Sequence, residues 1–319
     1  MPEQIVHEPG RDDGPDGPRG KTAGRVFLGR RGLWLGWRLL LFFGSYAALS
    51  VSGEWGIARL DTEAPGPLFL QTALLQEGSG LIAVLLATAL MASIEGRTIR
   101  SYGYGGSRIG LRALWGIAWG VICASGLVGA MWAGGLLGFD GASLHGPAAW
   151  QYGAGWALAC GITGIYEESL LRGYLQSTLA RGVGFWPAAV ALSAAFGLWH
   201  LTNDAESVFG LLVAATGGFL FCVSLWYTGS LWWAIGFHAG WDWAQGFLFG
   251  LPDSGIALRG TFLNAHPIGN PAWSGGATGP EGSPLMAPVL LLLASGMYLY
   301  WGLLRRSASI PRRQERSAR

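Results

Sequence analysis

Long apolar runs without charge restrict the folds that this 319-residue chain can adopt. Hydrophobic residues make up 51% of the chain and charged residues only 13%, whereas a soluble domain carries about 25% charged residues. As a helix, about 20 apolar residues cross the roughly 30 Å hydrocarbon core of a bilayer. The sequence therefore predicts an all-α fold, a polytopic bundle of membrane helices, and excludes an ordinary soluble enzyme.

About eight transmembrane helices can be assigned to these runs. The predicted spans are 33–53, 68–94 or 78–94, 113–139, 148–181, 184–200, two spans in one run broken at 227–230, and 285–304. The predicted organisation is a disordered tail at 1–31, N-terminal transmembrane helices at 32–140, a helical core at 141–250, a Gly/Pro-rich outer loop at 251–284, the last transmembrane helix at 285–305 and a basic tail at 306–319.

The distribution of positive charge predicts the orientation of the chain in the membrane. Arg and Lys gather in both tails, in the loop after the second span and in the turn after the fourth. Because cytoplasmic segments carry the excess of positive charge, both termini are expected in the cytoplasm. The expected location is the plasma membrane, with the lipid bilayer as a partner. The net charge of +2 is too small to indicate a polyanion as partner, so no nucleic-acid partner is predicted.

Ionisable groups stand in three places inside or at the ends of apolar spans. Glu167 and Glu168 lie near the end of the fourth span, His200 at the end of the fifth, and His238 and Asp242 in the seventh. A charged group at the centre of a membrane helix costs about 2.5–3.5 kcal/mol on insertion scales. These places are therefore the candidate functional site.

Helical spacing predicts how these groups are paired. Glu168 and Arg172 are four residues apart with the acid first, which is the favourable order for an ion pair. Glu167 is rotated about 100° from Glu168 and is expected to face a cavity. His238 and Asp242 share one helix face, and the aspartate is expected to set the tautomer of the imidazole.

The three places are expected to converge on one site. Glu167 and His200 lie at similar distances from the turn at Gly184, so an antiparallel helix pair brings them to the same level. His238 lies about 12 Å from its own turn at 1.5 Å per residue. The site is therefore expected inside the membrane, nearer the cytoplasmic end of the bundle.

The chemistry of such a site leaves two alternatives open. A carboxylate in an apolar cavity can act as a base towards water, and an imidazole can stabilise an oxyanion, which together suit amide hydrolysis. Alternatively, Glu167, His200, His238 and Asp242 could hold a divalent metal such as zinc with an open position. The HExxH signature of many metalloproteases is absent from the sequence.

The three motifs, in this order, resemble those of the CPBP family, which comprises type II CAAX prenyl proteases and bacteriocin-processing or Abi proteins. The family patterns EExxxR, FxxxH and HxxxN or HxxxD stand here as Glu167-Glu168…Arg172, Phe196…His200 and His238…Asp242. The resemblance implies that 141–250 is the catalytic core of an intramembrane endopeptidase, often described as a metalloprotease, which performs CAAX-type C-terminal processing of a peptide or protein substrate near the membrane.

The resemblance also implies roles for the motif residues. Glu167 and His200 would activate water, and His238 and Asp242 would form the oxyanion site, with Glu168, Arg172 and Phe196 in support. Aspartate in place of the asparagine that often ends the third motif suits orientation of His238 or binding of a metal better than donation to an oxyanion.

Two other functions are compatible with the same groups. One is a non-catalytic membrane immunity or scaffold protein of the same fold. The other is an ion-coupled transporter, in which buried acids and histidines form a proton relay.

Overall fold

The structure, a computed structural model, describes residues 28–29, 32–60 and 67–302 of the chain. The predicted tails at 1–31 and 306–319 lie outside the described residues, apart from 28–29. In the described ranges the helices, in chain order, are α1 (Leu35–Ala58), α2 (Leu70–Glu95), α3 (Ile109–Ala133), α4 (Gly146–Glu168), α5 (Gln176–Val183), α6 (Phe185–Trp199), α7 (Val208–Thr228), α8 (Trp232–Asp242), α9 (Pro271–Ser274) and α10 (Met286–Met297).

Irregular helical turns extend several of these helices. The π-helical segment Ser169–Leu175 joins α4 to α5, Trp243–Leu248 continues α8, and Tyr298–Gly302 continues α10. Short 3₁₀ turns stand at Ile99–Tyr102, His200–Thr202 and Pro280–Gly282. At Gly173, inside the first π-helical segment, the backbone leaves helical geometry (ψ −110°). The helical path that continues α4 is therefore kinked five residues after Glu168, about one and a half turns on, as is common near functional sites.

The all-α polytopic prediction is confirmed by the helical architecture. In the described ranges, α1, α2, α3, α7 and the segment Phe185–Thr202 are long and apolar enough to cross a membrane. The remaining predicted spans correspond to α4 with α5, α8 with its π-helical extension, and Met286–Gly302. The number of spans that cross the bilayer stays a prediction.

Large apolar side chains cover the outside of the bundle. Leu114 is 65% exposed, Val208 is 77% exposed and Leu292 is 73% exposed. Soluble proteins rarely expose apolar surface on this scale. These faces are therefore the ones that contact lipid, and the protein is an integral membrane protein.

Four short strands complete the described fold. β1 (Leu28–Gly29) pairs with β2 (Gly32–Leu33), and β3 (Leu137–Ala142) pairs antiparallel with β4 (Leu263–Pro267). In the second sheet Leu137 lies opposite Pro267, and Phe139 opposite Ala265. The prediction that the third span extends to residue 139 is therefore wrong, because the helix ends at Ala133 and the chain turns to form β3.

A partly buried charge network joins α2 to α5 at the end of the bundle where α5 turns into α6. Glu95, the last residue of α2, accepts hydrogen bonds from Tyr174 (2.7 Å) and Arg181 (3.1 Å). Gly184 makes the following turn with a positive φ of 91°, a conformation that glycine adopts without strain. Helices α4, α6 and α8 all carry side chains that line the candidate site.

Candidate active site

Glycines determine the position of α8, the helix that carries His238. A Cβ atom on Gly116 or Gly120 of α3 would overlap backbone atoms of α8, and one on Gly236 or Gly240 of α8 would overlap backbone atoms of α3. Small residues four apart let two membrane helices approach closely. His238 lies two residues, or about 200°, from Gly236, so its side chain points away from α3 into the bundle.

Glu168 and Arg172 form a fully buried ion pair, as the helical spacing predicts. Arg172 Nη1 lies 3.1 Å from Glu168 Oε1, and neither side chain is exposed. The guanidinium carbon lies 4.5 Å from the ring centre of Phe196, a favourable cation–π distance. A Cβ atom on Gly218 would overlap Arg172 Nη2, so α7 leaves room for the guanidinium only because residue 218 is glycine.

His238 lies between three carboxylates. Its Nδ1 is 3.2 Å from Glu168 Oε1, and its Nε2 is 3.5 Å from Glu167 Oε2 and 3.7 Å from Asp242 Oδ2. Ionised carboxylates only accept hydrogen bonds, so Nδ1 donates to Glu168. Glu168 therefore holds Nδ1 and Asp242 lies beside the other ring nitrogen, so the role of Asp242 in orienting the imidazole stays a prediction.

His200 is held by the backbone of its own helix. Its Nδ1 lies 2.8 Å from the carbonyl oxygen of Phe196, and a carbonyl can only accept, so Nδ1 donates and Nε2 is left free to bind a proton. The Phe196 ring packs edge-on against His200, with 4.6 Å between ring centres, and also contacts His238. Phe196 therefore touches side chains of all three motifs.

One cavity of about 340 Å³ is lined by the predicted catalytic side chains. Glu167, His200, His238 and Asp242 all line it, together with Phe196. Glu168 and Arg172 lie behind this wall as the buried ion pair. The structure thus brings the four predicted catalytic residues to one space, and places the three supporting residues in contact with them.

Segment 251–284, predicted as an outer loop, forms part of the cavity. Asp253, Ser254 and Glu281 line it, and Glu281 accepts hydrogen bonds from Trp241 Nε1 (2.9 Å) and from the backbone nitrogen of Ser254 (2.9 Å). Asn203, just after His200, donates to the Ser254 carbonyl at 2.8 Å. The segment is therefore attached to α8 and to the end of α6.

The cavity lies toward the end of the bundle that carries segment 251–284. His200 follows the last residue of α6, at the opposite end of that helix from Gly184. The expectation that the site lies nearer the cytoplasmic face stays a prediction, because the end of the bundle that faces the cytoplasm is not shown.

Burial perturbs acidic groups outside the spans. Burial raises the pKa of Asp253 well above its ordinary value, and the nearby carboxyl groups of Glu281 and Asp242 raise it further. Burial also raises the pKa of Glu206, which lies close to His200. The loops around the cavity therefore add acidic groups whose ionisation is opposed by their surroundings.

Several cavity residues were not predicted from the sequence. Glu77 of α2 lines the cavity, as do Asp253 and Glu281. Glu77 could have been singled out, because it is an acid within an apolar stretch. It was missed because one of the two predicted bounds of the second span, 78–94, leaves it outside the span. The Gly/Pro-rich surroundings of Asp253 and Glu281 show no periodicity that would indicate which way they face.

The divalent-metal alternative requires several donor side chains that converge on one point. In the described part of the chain, no group of three or more His, Cys, Asp or Glu side chains is arranged to hold a metal ion. The residues as arranged therefore do not fit a metal centre.

The comparison with known families agrees with the motifs. Residues 149–244 match the family model described as type II CAAX prenyl endopeptidase, Rce1-like. The matched range contains all three motifs and the four candidate catalytic residues, but neither Glu77 nor segment 251–284. No curated protein matches the sequence.

Proposed function

We propose that this chain, whose residues 149–244 belong to the Rce1-like type II CAAX prenyl endopeptidase family, is an intramembrane endopeptidase that hydrolyses a peptide bond with water activated by Glu167 and His200. The observation that carries the proposal is the cavity, in which the acid, both imidazoles and Asp242 face one space of about 340 Å³. The proposal keeps the plasma membrane as location and the cytoplasm as the side of both termini.

The first step is the activation of water. Glu167 Oε2 is buried and makes no hydrogen bond among the described residues, so it is available to accept a proton. His200 presents its free Nε2 to the same cavity. A water molecule between them loses a proton to the pair and attacks the carbonyl carbon of the substrate.

The second step is stabilisation of the oxyanion. Because Nδ1 of His238 donates to Glu168, a doubly protonated His238 can donate from Nε2. The 3.5 Å and 3.7 Å separations from Glu167 and Asp242 exceed ordinary hydrogen bonds, so Nε2–H has no close acceptor among these side chains and can donate to a substrate oxygen. Asp242 keeps the ring charged, and Nε2–H stabilises the charge that develops on the carbonyl oxygen.

The third step completes the hydrolysis. The proton taken from water passes from Glu167 to the nitrogen of the scissile bond, and the C–N bond breaks. One product carries a new carboxyl group and the other a new amine, so the protein returns to its starting state without a co-reactant.

The experiment compares, by proteomics, the peptides in membrane fractions of three kinds of cells. The cells produce the wild-type chain, the Glu167→Gln variant or the Glu54→Gln variant. Glu54 is exposed on α1 and undergoes the same chemical change, so it is the matched control. We expect an unprocessed peptide to accumulate only with Glu167→Gln. Unchanged processing in all three, with equal protein levels, contradicts the proposal.

The same cells separate the alternatives. An immunity or scaffold protein keeps its biological activity in Glu167→Gln. A transporter shows uptake that depends on a pH gradient and yields no peptide product.

A further inference from the structure

The two imidazoles of the candidate site stand on different helices. His200 follows the last residue of α6, and His238 lies in α8. In the proposed reaction one imidazole activates water and the other stabilises the oxyanion, so their separation has to match a single substrate carbonyl group. Because a misplacement of about 1 Å can cost about a hundredfold in rate, the contacts that hold the end of α6 against α8 affect the reaction.

Glu281, which lies outside both helices, accepts three hydrogen bonds beside the cavity. Its Oε1 accepts from Trp241 Nε1 at 2.9 Å. Its Oε2 accepts from the backbone nitrogen of Ser254 at 2.9 Å and from the Ser254 hydroxyl at 2.7 Å. Hydrogen bonds to a carboxylate are among the strong ones in proteins. Glu281 therefore ties α8 to segment 251–284 through both of its oxygens.

Ser254 continues this connection to the end of α6. Its carbonyl oxygen accepts from Asn203 Nδ2 at 2.8 Å, and the backbone nitrogen of Asn203 donates to the carbonyl oxygen of His200 at 3.0 Å. The φ angle of Ser254 is +45°, a left-handed conformation that costs energy in a residue other than glycine. Such strain persists where the surrounding contacts impose it, often beside functional sites.

A second contact holds the loop that follows His200 against segment 251–284. Thr278 Oγ1 donates to the carbonyl oxygen of Ala205 at 2.9 Å, and the backbone nitrogen of Gly255 donates to the Thr278 carbonyl at 2.9 Å. A Cβ atom on Gly255 would overlap backbone atoms of Ala205. The loop is therefore packed closely on the segment as well as hydrogen-bonded to it.

Trp241 is well placed to hold the catalytic part of α8. Its side chain is buried, and it lies three residues after His238 and directly before Asp242. Its ring stacks on that of Phe237, with 6.1 Å between the ring centres. A hydrogen bond that fixes the indole therefore also fixes the turn of helix that carries His238 and Asp242.

A continuous path of hydrogen bonds thus runs from α8 to the end of α6. We call it the Glu281 link, and its members are Trp241, Glu281, Ser254 and Asn203. We propose that Glu281 is a positioning residue, which sets the separation of His200 from His238 through this link. The inference rests on the proposed endopeptidase function, and it adds a residue from outside the range 149–244 that matches the family model.

The experiment uses the full-length chain in lipid nanodiscs and a synthetic peptide that the wild type cleaves, chosen from a pool by mass spectrometry. Trp241→Phe keeps an aromatic ring but removes the N–H that Glu281 accepts. The matched control is Trp243→Phe. It makes the same change two residues further on, where the indole N–H donates to the carbonyl of Gly153 in α4 at 3.0 Å.

The two variants are expected to differ in kcat. Trp241→Phe should lower kcat by at least about tenfold and change KM by less than about threefold, because substrate still binds but meets a misplaced imidazole. Trp243→Phe should keep kcat within about threefold of the wild type, because the Glu281 link is intact. A kcat in Trp241→Phe equal to that of Trp243→Phe overturns the proposal.

Breaking the link at its other end tests whether it acts as one unit. Asn203→Ala removes the donor to Ser254, and it should also lower kcat. Since a link already broken transmits nothing further, the double variant of Trp241→Phe with Asn203→Ala should lose no more than about twofold beyond the worse single variant. Independent structural damage at two distant residues gives effects that multiply, and that result overturns the proposal.

Hydrogen exchange separates this inference from the hydrolase proposal, because it needs no cleavage. Mass spectrometry follows the backbone amides of 200–207 in the wild type, Trp241→Phe and Trp243→Phe. Faster exchange in Trp241→Phe alone supports the link even if the wild-type chain cleaves no peptide, in which case only the hydrolase proposal fails. Equal exchange in all three chains, or the same increase in both variants, overturns the positioning proposal.

Discussion

At the scale of single residues, Glu168 has two roles: it pairs with the buried Arg172 and it contacts the candidate catalytic His238. The same oxygen, Oε1, lies 3.1 Å from Arg172 Nη1 and 3.2 Å from His238 Nδ1. The ion pair was predictable from the i,i+4 spacing. The contact with His238 was not, because it depends on how α8 is rotated against α4.

Breaking this ion pair is expected to destabilise the protein. Arg172→Met leaves the Glu168 carboxylate buried without its guanidinium partner, which costs about 3–5 kcal/mol for a pair of this kind. The measurement is thermal unfolding of the purified chain in detergent. An unfolding temperature equal to that of the wild type would contradict the buried pair.

Removing both charges is expected to separate stability from activity. The double variant Glu168→Leu with Arg172→Met should recover most of the lost stability, because well-packed apolar residues can replace a buried pair. The double variant should nevertheless fail to cleave peptides, because His238 has lost its Nδ1 partner. Recovery of wild-type cleavage in the folded double variant would show that Glu168 does not orient His238.

Glu77 shows where residue-level prediction stops. Its type and apolar surroundings were visible in the sequence, but whether it faces lipid or the cavity depends on the packing of α2 against α4. A single sequence does not contain that rotation.

At the scale of elements, the close contact of α3 and α8 is built from two glycine pairs. Gly116 and Gly120 on one helix meet Gly236 and Gly240 on the other. Both GxxxG patterns stand in the sequence, yet a pattern does not say which helix is its partner. The kink at Gly173 likewise depends on packing, since many glycines in this chain lie in regular helices.

Filling this contact is expected to destabilise the bundle. In Gly120→Ala the new Cβ atom overlaps the backbone of α8 at Phe237, and such overpacking costs about 1–3 kcal/mol. Gly126→Ala is the matched control on the same helix, because a Cβ atom there meets nothing within 4 Å. Thermal unfolding compares the two; equal effects would contradict the close approach of α3 and α8.

At the scale of the whole molecule, segment 251–284 is part of the active-site architecture. The sequence predicted its position outside the spans and its irregular character. Its role in lining the cavity could not be predicted, because it depends on hydrogen bonds between distant residues, such as Trp241 with Glu281. The convergence of the motifs was predictable in part, because Glu167 and His200 stand at similar distances from the turn that joins their helices.

The ionisation of Asp253 is expected to make stability depend on pH. Burial and the carboxyl groups of Glu281 and Asp242 hold its pKa well above the ordinary value of 3.8, so the folded chain binds this proton more tightly than the unfolded chain. The stabilisation is complete below the ordinary value and is lost as pH rises through the folded pKa.

Asp253→Asn removes this contribution. We expect its unfolding temperature to exceed that of the wild type increasingly as the pH rises, with the smallest difference at the acidic end. Asp204→Asn, at an exposed loop position, is the control. A difference between Asp253→Asn and the wild type that does not change with pH would contradict the assignment.

Peptide cleavage by the purified chain in water enriched in ¹⁸O tests the central claim most directly. The wild type is compared with Glu167→Gln after thermal unfolding has shown that the two chains unfold at the same temperature. The account predicts that the wild type produces new C-terminal carboxyl groups carrying ¹⁸O and that Glu167→Gln produces none above background. Cleavage at the wild-type rate by folded Glu167→Gln, or new C-termini without the label, would contradict it.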